Sequence, residues 1–193
     1  MNKRSAEESK KNILAAARTV FAEHGYAQAS MRIIAGAAGM SVGGLYLHFR
    51  NKEELYLTFT QEWMKNLNDR THDALREIDN PVEAIGVFIS LTIQFSRSHR
   101  EMIILQGREL GFSFGLDLKR AFFRERRKQI ADIVRSGIES GDFRTCDADE
   151  VAKVIFNILR GFIVSMVIDE DALFTPEESV NLVLNGLLRR NSG

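Results

Sequence analysis

The chain has 193 residues, 45% of them hydrophobic, with 26 basic and 26 acidic side chains and a net charge of zero. That length allows one or two units with a real core. The single cysteine excludes an intrachain disulfide framework and a cysteine-based zinc site, and only two prolines argue against a loop-rich or β-rich fold.

Apolar residues recur at three and four positions rather than two, which reads as all-α with about nine helices. Ser5 and Glu8 have capping-box spacing, and Ile13, Leu14, Ala17, Val20 and Phe21 share one face of a first helix over about 6–24, stopped by Gly25. Ser30 caps a second helix carrying Ile33, Ile34 and Ala38 and ended by Gly39. Ser41 caps a short third helix running to about Phe49. Asn51 and Glu54 cap a long fourth helix with Leu55, Phe59, Trp63 and Leu67, reaching toward Ile78. Asn80-Pro81 opens the fifth. A polar run from Ser96 to Glu101 separates it from a short helix at about Met102–Leu110, and Gly111 and Gly115 loosen the next connection. A seventh helix spans about Leu116–Glu139, an eighth capped by Asp147 about Ala148–Asp169, and a ninth, announced by Thr175-Pro176 and Glu178, ends near Arg190.

Charge is unevenly spread. Residues 1–52 hold eight basic and three acidic side chains, and the remainder is acidic by the same margin. A basic N-terminal quarter suits a polyanion-facing module; a chance deviation of a few charges is the plain alternative. No apolar signal region opens the chain, and the most apolar stretch, 154–168, contains Asn157 and Arg160 and is short for a bilayer. The expectation is a cytoplasmic protein without a membrane partner.

The second and third helices, joined by a tight turn at Gly39, have helix-turn-helix spacing over about 30–49. Ala35 is small where the helices cross, and Ile34, Ala38, Met40 and Leu45 are apolar where they share a core. Adjacent glycines, Gly43 and Gly44, weaken the third helix by about 1 kcal/mol each relative to alanine. The physical reading is that bare backbone there lies close against something large.

The run from Phe21-x-x-x-Gly25-Tyr26 through Ser30, Ile34-Ala35-x-x-Ala38-Gly39, Ser41-x-Gly43-x-Leu45-Tyr46-x-x-Phe49 and Lys52-Glu53-Glu54-Leu55 resembles the TetR family of bacterial transcriptional regulators over about residues 8–58. The resemblance implies a three-helix DNA-binding domain, here 1–52, and a larger helical domain, 53–193, that binds a small effector and dimerises. The third helix would then be the recognition helix in the major groove. Ser30, Ser41, Tyr46 and His48 would meet phosphates. Lys52 would add its charge to the N-terminus of the fourth helix. Arg32 would reach a base or a phosphate, and Val42 and Leu47 thymine methyls, beside the bare Gly43 and Gly44. Duller roles stay open: Tyr46 as core with a wet hydroxyl, His48 as a surface histidine, Leu47 packed inward. The family often carries hydrogen-bonding side chains at the positions of Val42, Gly44 and Leu47, so direct readout here should be sparse and DNA shape should matter more.

The eighth helix is apolar nearly all round, and the ninth carries a matching stripe. This suggests a homodimer through Val154, Ile158, Gly161 and Ser165 with Val180, Val183, Leu184 and Leu187, reading a near-palindromic double-stranded operator. A monomer with both helices internal is the alternative. Candidate effector contacts are Trp63, Phe88, Phe95, Gln106, Arg108, Phe112, Phe123, Asn157 and Phe162, suited to an apolar or amphipathic molecule. No Glu-x-x-His, phosphate loop, GxSxG or catalytic cysteine setting is present, so the chain does not read as an enzyme, and no cofactor or metal is called for. The reading is a ligand-responsive DNA-binding regulator, foremost a repressor released from its operator by effector. An activator on the same fold, or a helical ligand-binding protein that does not touch DNA, are the alternatives.

Overall fold

The computed structural model describes residues 3–105 and 115–188. Among these residues are nine α-helices, one short 3-10 turn at Glu170–Ala172 and no strand. They divide into two compact units, Met1–Lys65 with Ile104–Gly115, and Asn66–Ile103 with Leu116–Gly193. The sequence reading divides the chain at 52/53; by internal contacts the first part of the fourth helix goes with the first unit.

The first unit is built on α1 (Lys3–Gln28), α2 (Met31–Ala37), α3 (Val42–Tyr46) and the opening turns of α4 (Lys52–Leu75). Gly25 adopts φ 72°, a left-handed conformation costly for other residues, and breaks α1 where the sequence placed its stop. Its core joins Ile13, Ala17, Phe21, Ile34, Ala35, Leu45, Phe49, Leu55 and Tyr56, all buried. Ile33 departs from expectation: it is exposed, because Ile34 and Ala35 already fill the inward face of so short a helix. The turn between α2 and α3 passes through Gly39 at φ 65° and is closed by the Met40 N–H donating to the Ala35 carbonyl at 3.0 Å. Asn12 pins it from α1, its Nδ2 donating to the Ala38 carbonyl at 2.8 Å. α3 ends at Tyr46 rather than Phe49; Leu47 and His48 continue as a turn.

The second unit holds the rest of α4, α5 (Pro81–Ser98), the start of α6 (Arg100–Leu105), α7 (Leu116–Ser140), α8 (Ala148–Ile168) and α9 (Pro176–Leu187). α7 lies along α8 and α5, and α9 lies on α5. Asn80, Asp147 and Thr175 accept the first N–H groups of α5, α8 and α9, as their spacing predicts. The polar run at 96–101 does not end α5 early. Ser96 Oγ donates to the Thr92 carbonyl and Ser98 Oγ to the Gln94 carbonyl, so the hydroxyls are absorbed by the helix and α5 continues to Ser98. The core gathers Ile85, Phe88, Ile89 and Ile93 from α5, Ile130 and Val134 from α7, and Ile155, Leu159, Phe162 and Met166 from α8. Arg135 of α7 forms a bidentate pair with Asp149 at 2.8 and 2.9 Å, an exposed tie to the start of α8.

Candidate nucleic-acid interface

α3 presents one face outward and one inward. Leu45 is wholly buried and Phe49 nearly so, which fixes the rotation of the helix. Val42, Gly43, Tyr46 and Leu47 consequently share the outward face, with Tyr46 50% and Leu47 82% exposed. Leu47 therefore does not pack inward, and Tyr46 is no core residue; His48 is half-buried. An isolated leucine in the open offers methyl-sized contact without a hydrogen bond, consistent with sparse polar readout.

The two glycines have different surroundings. A Cβ at Gly44 would lie 3.2 Å from Ser41 Oγ, the helix's own cap, so that position is already tight. A Cβ at Gly43 would meet nothing within 4 Å. The fold of this unit therefore gives no packing reason for bare backbone at Gly43. Ser30 and Ser41 accept from the N–H groups of Ile33 (3.2 Å) and Gly44 (3.0 Å), and a capping hydroxyl of this kind still has its own proton to donate outward. Arg32 is exposed on α2, as are Lys10, Lys11 and Arg18 on α1. Lys10 sits 3.8 Å from Glu62.

Lys52 requires a correction. The sequence reading gives its ammonium to a phosphate. Instead Nζ donates to the carbonyls of Tyr26 at 2.6 Å, Ala29 at 2.8 Å and Ala27 at 3.4 Å, and lies 4.3 Å over the Tyr26 ring. These carbonyls, at the negative C-terminal end of α1, draw the charge inward. The N-terminus of α4 is also taken: Asn51 Oδ1 accepts from the Glu54 N–H at 2.7 Å, and the Glu54 carboxylate accepts from the Arg50 N–H at 2.8 Å.

In the second unit the effector candidates scatter. Phe88 and Phe162 are core, Phe123 packs against Phe156 at 5.2 Å, and Phe95 lines a groove of about 450 Å³ with Arg70, Asp73, Leu91, Gln94 and Ser98. Trp63 falls in the first unit. Gln106, Arg108 and Phe112 lie outside the described residues. Asn157 is exposed beside Val154 and Gly161, so it belongs with the outward side of α8 rather than with the buried rings. That outward side runs from Val154 (61% exposed) through Ile158, Gly161 and Ser165 to Ile168 (73% exposed). α8 alone among the described helices is long and apolar enough to cross a membrane, and its other side packs along α7.

On α9 the register differs from expectation. Val183 and Leu187 are buried within the chain, and Val180 is turned toward Gly86 on α5, where a Cβ would lie 3.6 Å from it. Leu184 is half-buried, and the large apolar side chain left outside is Leu182, 69% exposed. Nothing in the spacing decides it, because Val180, Val183, Leu184 and Leu187 fit a single helical stripe equally well facing α5 or a partner.

Two substitutions separate these roles. Gly43→Ala is expected to raise the stability of the free protein by about 0.5–1 kcal/mol through helix propensity and to weaken duplex binding; stabilisation with unchanged affinity would mean nothing approaches that backbone. Lys52→Met is expected to lower stability by about 1–2 kcal/mol as the carbonyls lose their donor, while leaving the salt dependence of DNA binding unaltered. A shallower salt slope in the variant would return Lys52 to the phosphate.

Comparison with known proteins agrees with this geometry. Residues 13–58 match the family described as bacterial regulatory proteins, tetR family, and residues 116–181 match the tetracyclin repressor-like C-terminal domain. The HTH-type transcriptional repressor KstR2 of Mycobacterium tuberculosis (strain CDC 1551 / Oshkosh) is 30% identical over 151 residues, covering 74% of each chain. The fatty acid degradation regulator FadR from Bacillus halodurans superposes with a TM-score of 0.77 at 26% identity, over 94% of this chain and 97% of that one. FadR from Bacillus subtilis, solved in complex with stearoyl-CoA, superposes at 0.73 with 25% identity over 91% and 95%. A helix-turn-helix whose short second helix turns an unfilled backbone outward, followed by a helical unit matching the family's C-terminal domain, places this chain in the TetR family of bacterial transcriptional regulators.

Proposed function

We infer that the protein is a ligand-responsive repressor: a homodimer that holds a near-palindromic operator and releases it when an amphipathic effector, foremost one with an acyl chain, enters the second unit. The observation that carries the DNA-binding part is Gly43, open on all sides within the chain yet kept bare on the outward face of a helix whose inward face is locked by Leu45. The acyl preference is supported by the two FadR likenesses, one of them with stearoyl-CoA, and by the aromatic core of the second unit. As a regulator of transcription it works in the cytoplasm.

Dimerisation is supported by the apolar line on α8. Val154 and Ile168 leave large apolar side chains exposed on the side of α8 away from its core face, and Gly161, with nothing within 4 Å of a Cβ, permits a second helix to approach closely. Leu182 of α9 extends the apolar exposure. Two copies related by a two-fold axis bring two α3 helices to successive major grooves, about 34 Å apart. α4 is the continuous element shared by both units. Effector and operator then oppose one another through it, each lowering the affinity for the other by the same factor.

Two measurements test this. In a gel shift on the DNA upstream of its own coding sequence, the protein retards a defined fragment, and a long-chain fatty acid or its acyl-CoA releases it; retention of the complex at saturating concentrations of both would remove the acyl effector. In size-exclusion chromatography the wild type elutes as a dimer and Ile168→Glu with Leu182→Glu as a folded monomer that no longer shifts the fragment. A double variant that stays dimeric would place the interface elsewhere.

A further inference from the structure

Arg126 is the most deeply buried charged residue described, 1% exposed, at the meeting of α4, α5 and α7. Nη1 donates to Thr71 Oγ1 at 2.8 Å and to Gln129 Oε1 at 3.2 Å, and Nη2 donates to Thr92 Oγ1. The face of the guanidinium rests on the Phe88 ring, 3.9 Å from its centroid. Thr71 and Thr92 spend their own protons on the carbonyls of Leu67 (2.8 Å) and Phe88 (2.7 Å), so both meet the arginine as acceptors only. Every partner is neutral. Among the described residues no Asp or Glu is buried, whereas Lys119, two turns earlier on α7, is buried as well.

A guanidinium has five N–H donors, and three hydrogen bonds are made here. Two donors remain without an acceptor among the described residues. Taking such a cation out of water without a counter-charge is unfavourable, and burial alone pushes its pKa down to about 9. With the arginine gone, the two threonines keep their backbone bonds and Gln129, half-buried, keeps a path to water. A positive charge held flat on an aromatic ring, with unspent donors and no anionic partner among the described residues, is arranged to meet an anion from outside.

We propose that Arg126 seats the negatively charged head of the effector, a carboxylate carried on an apolar chain. This rests on the effector reading above and specifies which group of the molecule is recognised: the acid head pairs with the guanidinium beside Phe88. An alcohol of the same length brings the chain without the charge and leaves the arginine as it was.

The test uses the full chain in thermal-shift measurements with dodecanoate and hexadecanoate, their matching primary alcohols and the matching acyl-CoA thioesters, on wild type, Arg126→Met and Arg126→Lys. The wild type should gain Tm with an acid and not with its alcohol. Arg126→Met should keep or raise the Tm of the ligand-free protein while losing the acid response. Arg126→Lys, which keeps the charge and loses the fork, should prefer acid over alcohol at least tenfold more weakly in apparent affinity. Equal responses to acid and alcohol, or no response to either acid, would overturn the proposal. So would a large fall in Tm for Arg126→Met with an undiminished acid preference in Arg126→Lys, since the residue would then be structural. A response confined to the thioesters and unchanged in Arg126→Met would also overturn it, while leaving an acyl effector standing. Absence of operator binding in the wild type would instead refute the repressor reading.

Discussion

The DNA-facing unit depends on a single ammonium group. Just past the break of α1 at Gly25, Lys52 donates to the carbonyls of Tyr26, Ala27 and Ala29. The same contact lies over Tyr26, whose ring stacks on Phe21 and meets Tyr56 edge-on. The end of α1 and the start of α4 are thereby held together across the whole helix-turn-helix. Ser30, which starts α2, follows Ala29 directly, so the position from which α2 leaves is set by this clamp, and α3 follows through the turn that Asn12 pins. A charge that reads in the sequence as a contact to DNA is spent, in the free chain, on holding the helix-turn-helix together.

Local signals were the legible ones. Ser30, Ser41, Asn80, Asp147 and Thr175 each cap the helix they were read as opening, since a cap acts within three residues and needs no knowledge of the fold. The outward face of α3 was legible as well, because Leu45 and Phe49 fix its rotation. What failed were questions answered only by distant residues. Lys52 is drawn to carbonyls more than twenty positions earlier. The face of α9 depends on α5, which turns Val183 and Leu187 inward and leaves Leu182 outside. Ile33 and Ile34 are equivalent in composition and opposite in fate. Arg126 passed unnoticed among the arginines of α7, although its spacing from Ile130 and Val134 puts it on the inward face; a charged residue in register with a core stripe is the signal that was there to read.

The second unit combines two features that a protein optimised for stability alone would avoid. It leaves an apolar line on α8 and Leu182 of α9 open, and it encloses a cation within neutral acceptors. Both are unfavourable for an isolated unit in water. In the dimer and effector complex proposed above, the first is relieved by apolar surface and the second by negative charge, two separate places at which binding energy would enter the molecule.

The recognition helix has only five residues, two of them glycines. So short a segment lies far below the length at which a helix persists in water. Its order is borrowed from the Ser41 cap and from Leu45 and Phe49, which anchor it to the core. Amide protection along Val42–Tyr46 should therefore rise and fall with the integrity of the whole first unit. The part of the molecule that touches the operator is a gauge of the condition of everything behind it.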